Sequence, residues 1–339
     1  AQLAKRAGVK LRPHTKTHKS VWLAREQLRY GASGITVAKL GEAEVMAAAG
    51  IDDILVAYPI VGKAKLDRLS RLLERADVTV SADDVEVARP LSELGVRLGR
   101  PIPLYVDVNT GLNRCGKEPG EETADLVKRL ADLPGIRVKG LMTHAGHAYS
   151  RKSPDEIFPV ARDEADSLVR TKRILEQRDG IQIGEISVGS TPTSKFVGEL
   201  DGVTEMRPGA YIFGDAIQWD MGIIDESQCA MSVLATVVSC PRPGTAIVDA
   251  GSKTLSSDLN PHRPGYGRIR GLEGAVIERL SEEHGIVRLP EGVSLKIGQT
   301  VEIIPNHCCA VTNLHDRLAG VRNGQLETYI EVDARGKVQ

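Results

Sequence analysis

The chain has 339 residues, of which 41% are apolar and 26% charged, enough to bury a large core as one big domain or two. Its 44 lysines and arginines nearly cancel 45 aspartates and glutamates, so no global field selects nucleic acid or a membrane surface as a partner. No apolar run reaches the roughly 18 residues that span a bilayer, and the opening AQLAKRAGVK lacks the apolar core of a signal peptide, so a soluble, cytoplasmic protein is expected.

The first residues, AQLAKRAGV, read as the tail of a helix, as though the chain were trimmed or its first part, including an opening strand of a β domain, were absent. Next comes Leu11-Arg12-Pro13-His14-Thr15-Lys16-Thr17-His18-Lys19. Val9 and Leu11 suit an extended segment and Pro13 holds its predecessor away from helix, so two lysines and two histidines emerge where a strand meets a loop. That is a common address for chemistry in α/β folds. A lysine there, partly desolvated or set beside other cations, can form a Schiff base with an aldehyde such as that of pyridoxal phosphate. A solvated basic loop is the plainer reading of the same residues.

From there to about residue 215, strand-like runs (GVKLRP, SGITVA, DDILVAYP, VTVSAD, PLYVDVN, KGLMTHA, GEISVGS) alternate with amphipathic helical runs, the last a long stretch from Pro154 to Arg178. Repeated units of this kind predict a parallel sheet with helical crossovers, and their number favours closure as a barrel. After Trp219 the texture changes to short β-branched segments separated by Gly/Pro turns: SVLATVVSC, TAIVDAG, GAVIERL, HGIVRLP, TVEIIP and ETYIEVDARGKV. Residues 1–220 are therefore expected to form an α/β barrel and residues 221–339 a mostly β domain packed closely on it.

Five segments carry chemistry. In VGSTPTS, Gly189, Ser190 and Thr191 follow a strand, where backbone N–H groups and hydroxyls can close around a phosphate. MRPGAYIFGD sets Gly209 and Tyr211 in another strand-end turn, which can supply the other side of such a site. KGLMTHAGHAYS puts His144 at a further strand end, where an imidazole can stack on a cofactor ring or shuttle protons. VDVNTGLNRCG brings Asp107, Asn109 and Arg114 to another, and a fixed guanidinium there can bond a phenolate or carboxylate. In PNHCCAVTNLHD, His307 and Cys309 stand one residue apart and share a face if the strand is extended, an imidazole–thiolate pair of the zinc type with coordination positions left over. Each also has a plain reading as a turn, a satisfied core histidine or a structural pair. Five cysteines are an odd number and do not suggest a disulfide framework; Cys115, Cys229 and Cys240 are expected to be small buried residues.

Taken together, RPHTKTHK, GITVAKLGEAE, DDILVAYPIVGKAKL, GLMTHAG, VGSTPTS, RPGAYIFGD and PNHCC resemble the family of D-threonine aldolases and eukaryotic-type D-serine dehydratases, over nearly the whole chain from Leu11 onward. The resemblance implies an alanine racemase-like (β/α)8 barrel binding pyridoxal 5'-phosphate, followed by the β domain, and a homodimer acting on a small D-amino acid. It implies that Lys16, rather than Lys19, carries the cofactor, with His144 and Arg114 near its ring and phenolic oxygen. Phosphate contacts are implied from Gly189, Ser190, Thr191, Gly209 and Tyr211. His307 and Cys309 are implied as ligands of a divalent metal (zinc, manganese or magnesium) beside the cofactor, with Cys308 pointing the other way.

Two reactions follow from those parts. If the metal helps deprotonate the substrate β-hydroxyl, the Cα–Cβ bond breaks to glycine and an aldehyde; if Lys16 removes the Cα proton, hydroxide leaves and a 2-oxo acid and ammonia form. VGKAKL and VTNLHD resemble the aldolase branch, which is the expectation adopted; the His/Cys pair, THAGHAY and GSTPTS resemble the dehydratase branch, acting on D-serine or D-3-hydroxyaspartate. An amino-acid racemase would share the lysine but has no use for the metal pair. A non-enzymatic pyridoxal phosphate-binding protein would lack the β domain.

Overall fold

Eight parallel strands with helices between them form the first of two compact units in a computed structural model that describes residues 1–339. That unit comprises Ala1–Ala148, Asp155–Gly209 and Lys337–Gln339; the second comprises Tyr149–Pro154 and Ala210–Gly336. The second unit thus begins before the break expected after residue 220, and it includes a short piece that the sequence pattern assigned to the barrel.

The strands of the first unit are β1 (Lys10–Leu11), β2 (Ile35–Val37), β3 (Asp53–Pro59), β4 (Asp77–Ala82), β5 (Ile102–Asp107), β6 (Ile136–Met142), β7 (Glu185–Val188) and β8 (Glu205–Met206), ordered β1-β8-β7-β6-β5-β4-β3-β2. Residues just past β1 close the circle. The Thr36 N–H donates to Pro13 O (2.8 Å), and His14 bridges Thr36 in parallel sense. Seven of these strands match predicted runs; β8, only two residues long, is too short for periodicity to reveal.

Around the barrel lie α1 (Gln2–Ala7), α2 (Val21–Arg29), α3 (Leu40–Ala48), α4 (Lys63–Leu73), α5 (Val85–Arg97), α6 (Glu121–Ala131) and α7 (Pro154–Ile174), with the one-turn α8 (Thr191–Ser194) after β7. Their apolar residues recur at helical spacing: α6 buries Ala124, Val127 and Leu130 and leaves its lysine and arginine outside. Alternation along the strands sorts the two faces. Ile54, Val56, Val78, Val80, Leu104, Val106, Ile186 and Val188 join the helices in one apolar core.

The opposite strand face is different. Only Leu55, Tyr105 and Met142, with Ala57 against them, form an apolar cluster there, and the rest is a buried polar network. Arg12 donates through Nε to Glu205 Oε2 (2.7 Å) and through its fork to both oxygens of Asp53 (2.7 and 3.1 Å). Glu205 Oε1 also accepts from Ser187 Oγ at 2.6 Å. A fully satisfied network of this kind fixes strand register as branched apolar layers do in other barrels.

The second unit opens with α9 (Ala216–Asp220) and holds a six-stranded antiparallel sheet, ordered β11-β14-β9-β10-β13-β12, from β9 (Val233–Arg242), β10 (Thr245–Val248), β11 (Arg268–Ile269), β12 (Val276–Leu280), β13 (Gly285–Arg288) and β14 (Thr300–Ile304). Val237, Ala246, Val248, Ile277, Val287 and Ile303 fill its core. Helix α10 (Ser252–Leu255) interrupts it, and α11 (Cys308–Leu314) leads into a hairpin of β15 (Arg317–Arg322) and β16 (Gln325–Glu331). Strands β11 and β15 were not expected from the sequence. All five cysteines are free, and Cys240 is exposed and Cys115 half-buried rather than both buried, because Cys240 falls at the solvent end of β9. No helix is long and apolar enough to cross a membrane.

Candidate active site

Within the first unit, Pro13 and His14 are clamped on both sides: the His14 N–H donates to Pro208 O (2.9 Å) while Pro13 O accepts from Thr36. The chain then makes one tight turn, Thr15–Thr17, that carries Lys16 at the strand end. Gly209 closes against this turn. A Cβ there would stand 2.7 Å from Thr17 Oγ1 and 3.2 Å from His14 O, so glycine is required by close approach.

The two lysines of the opening motif have different surroundings. Lys19 is buried at φ 51° and its ammonium pairs with Glu42 at 3.2 Å. Lys16 is half-buried and no carboxylate pairs with it. An amine meant to react must stay free of such a partner, and that favours Lys16. His18, also buried, is spent structurally, with one ring nitrogen 3.1 Å from Gln27 Oε1 and the other accepting from the Ser20 N–H.

His144 stands near Lys16. Its Nδ1 lies 2.6 Å from Gly189 O, which makes Nδ1 the donor and leaves the Nε2 lone pair. Burial first, and then the cations of Lys16, Arg114 and Arg207, push the His144 pKa down to about 3. Burial and the same three cations hold His14 well below the usual imidazole range. Two neutral imidazoles among three cations make an electropositive pocket that suits a phosphate dianion and a phenolate.

Gly189 is fixed from both sides: its carbonyl accepts from His144 and its N–H donates to Glu164 Oε1 (2.7 Å). A Cβ on Gly189 would meet Arg207 N at 2.8 Å. Ser190 and Thr193 cap the one-turn α8 reciprocally. The Thr191 hydroxyl is buried with no hydrogen-bond partner, an orphan that a phosphate oxygen would satisfy. The donors present therefore fit the phosphate end of pyridoxal phosphate. Arg114 lies on an exposed loop shaped by Asn109, whose Oδ1 accepts from the N–H groups of Gly111 and Asn113. Tyr211 stands 38% exposed on the turn Ala210–Ile212 of the second unit.

Two residues escaped the sequence reading. Arg207 is buried and donates to Ser187 Oγ and to Thr143 O; the alternation Glu205-Met206-Arg207 was its trace. Glu164 is fully buried on α7, and burial pushes its pKa up to about 7 against the pull of the Gly189 N–H. It looked like one more acid on an amphipathic helix.

In the second unit, His307 is the N-cap of α11 and not part of an extended strand. The expected geometry is thus corrected: Cys309 approaches His307 because the chain turns into a helix there. Cys308 is fully buried, and its hydrogen bond to Cys309 and then burial keep its thiol pKa well above the ordinary range. Asp215, fully buried, braces the pair. One oxygen caps α9 at the Gln218 N–H (3.1 Å); the other lies 3.2 Å from both the Cys308 N–H and His307 Nδ1. Burial works to lower the His307 pKa, but Cys309 and Asp215 outweigh it and hold the imidazole well above its usual value. With Nδ1 committed to a carboxylate, Nε2 is left as the ligating nitrogen, the usual arrangement behind a metal-bound histidine. Nitrogen and sulfur donors fit zinc, and no third acidic, cysteine or histidine ligand completes the set.

Residues 1–217 match the family of the alanine racemase N-terminal domain, and residues 230–321 match a putative serine dehydratase domain. A D-threonine aldolase from Arthrobacter sp is 34% identical over 338 residues, 98% of this chain and 87% of that protein. The D-threo-3-hydroxyaspartate dehydratase of Delftia sp. (strain HT23) is 33% identical, over 98% of this chain and 89% of that protein. The crystal structure of a D-threonine aldolase from Filomicrobium marinum superposes with a TM-score of 0.91 at 34% identity, covering 100% of this chain and 91% of that one.

Proposed function

Since this chain belongs to the alanine racemase-like family of D-threonine aldolases and D-serine dehydratases, lyases of D-amino acids, we infer that it cleaves D-configured β-hydroxy-α-amino acids to glycine and an aldehyde. The observation that carries the lyase reading is the His307–Cys309 pair braced by Asp215, since a racemase has no use for it; cleavage is preferred on the resemblance of VGKAKL and VTNLHD to the aldolase branch.

Lys16 would hold the cofactor aldehyde; Gly189, Ser190, Thr191, Gly209 and Tyr211 would hold its phosphate, and His144 and Arg114 would lie at the ring. When bound, pyridoxal phosphate supplies an electron sink for charge developing at Cα, and a divalent cation held by His307 and Cys309 supplies a Lewis acid for the β-oxygen. His144, neutral, leaves the ring environment without a proton to give at Nε2. In cleavage, the substrate β-hydroxyl loses its proton, the Cα–Cβ bond breaks, and Cα is reprotonated to give glycine.

A second reading, β-elimination to a 2-oxo acid and ammonia, is supported by the thiol at Cys309. A sulfur ligand resembles the dehydratase branch. There Lys16 would remove the Cα proton as the β-hydroxyl departs. By analogy with the family we expect a homodimer.

Product analysis with D-threonine separates the readings. Glycine and acetaldehyde, lost on chelation and in Lys16→Ala, are expected. Ammonia and 2-oxobutanoate would transfer the assignment to elimination, and turnover indifferent to chelation would remove the metal pair from the mechanism. Lys16→Ala should also lose the visible band of bound cofactor; a retained band would move the attachment to Lys19.

A further inference from the structure

The residue before His307 organises a loop whose charge is unbalanced. Asn306, buried, donates through Nδ2 to Asp258 O (2.9 Å) and to Gly265 O (2.8 Å), so the connection from α10 to β11 is laced to the start of the ligand segment. The same loop is tied a second time. His262 Nε2 lies 2.8 Å from Tyr149 O, and the Tyr149 ring stands edge-on to His307, centroids 6.3 Å apart. Arg263 sits between these tethers.

One carboxylate, Asp220, lies near two guanidiniums here and pairs with only one of them. Asp220 takes Arg268 on one oxygen and the Asn260 amide (2.7 Å) on the other. Arg268 also lies 3.8 Å over the Trp219 ring. Arg263 has no carboxylate partner. The Nε atoms of both arginines are buried without an acceptor, and an unpaired donor on a cation is costly to leave that way. Burial and then the neighbouring Arg268 disfavour charge on Arg263 and outweigh the pull of Asp220, an imbalance that an anion would relieve. Arg263 is only half-buried, so the anion can come from solvent, and a planar guanidinium matches the two oxygens of a carboxylate.

We propose that Arg263, with Arg268 beside it, is a carboxylate-binding subsite for the substrate of the His307–Cys309 unit. The assignment to substrate rests on the lyase reading above; the carboxylate itself can be the α-carboxylate of every substrate or the side-chain carboxylate of a dicarboxylic one such as 3-hydroxyaspartate.

The chain has 2 tryptophans, so in a Trp22→Phe background Trp219 emission reports on Arg268. Succinate titrated into the cofactor- and metal-loaded protein should change that emission saturably. Arg263→Gln should weaken succinate roughly tenfold or more, the worth of a hydrogen bond to a charged group, and Arg263→Lys should restore part of it. With substrates, Arg263→Gln raising KM equally for D-threonine and D-3-hydroxyaspartate identifies the α-carboxylate, and raising it only for the latter identifies the side-chain carboxylate. Succinate bound equally by the Gln variant, or not bound by the parent, overturns the subsite. Because succinate binding needs no turnover, failure of the lyase assignment leaves this result readable.

Discussion

Asp215 holds three groups with one carboxylate: the first turn of α9, the first N–H of α11, and the ring of His307. A buried carboxylate behind a ligating histidine fixes the tautomer and raises ligand basicity. Asp215→Ala is accordingly expected to weaken zinc about 10- to 100-fold in competition with a chromophoric chelator, while the visible cofactor band persists. Unchanged zinc affinity would separate Asp215 from the metal. At this scale residue type was readable and surroundings were not. Lys16 and Lys19 look alike in RPHTKTHK, yet only the fold gives Lys19 its partner Glu42. Glu164 and Arg207 matter because they are buried, a tertiary fact that no local pattern carries.

Among the elements, helices and central strands were legible because several turns of period 3.6 or several alternations stood in each. The two-residue β8 and β11 offered no period, whereas β1, as short, was legible from Val9, Leu11 and Pro13 around it. Strand β15 was legible and overlooked: Asn323 and Gly324, at φ 52° and 77°, are the Asn-Gly pair of a tight hairpin turn. The helix at Cys308 was missed because the pair was read as extended backbone running on from TVEIIP, whereas Asp215 accepting from the Cys308 N–H stabilises a helix start. Backbone proximity sets a further element-scale constraint. A Cβ on Gly95 of α5 would lie 1.9 Å from Gly135 O, at the turn before β6. Gly95→Ala, a good helix substitution by propensity, should therefore destabilise the protein by about 1–3 kcal/mol, seen as a lower denaturant midpoint. A raised midpoint would mean that α5 does not press on that turn.

For the molecule as a whole, the buried Glu164 makes stability depend on pH. Burial lifts its carboxyl pKa from the ordinary 4.5 to about 7 in the fold, so the folded state favours the protonated form. That contribution is complete below about pH 4.5 and is lost as pH rises through about 7. Glu164→Gln keeps an acceptor for the Gly189 N–H without the titration, so it should gain on the wild type by roughly 3 kcal/mol between pH 5 and 8 in urea unfolding. Parallel profiles for the two proteins would show that Glu164 does not ionise with unfolding.

Barrel closure has a consequence in time. The strand leading to Lys16 pairs with β8, and the Arg12–Glu205 contact joins residues 193 apart in sequence. A chain emerging from the ribosome holds its lysine motif early but cannot seat it until β8 has been synthesised, and contacts this distant in sequence form late. The lysine motif is made well before the strand that seats it and is organised only when that strand arrives, so gain of cofactor absorbance during refolding should coincide with completion of the barrel.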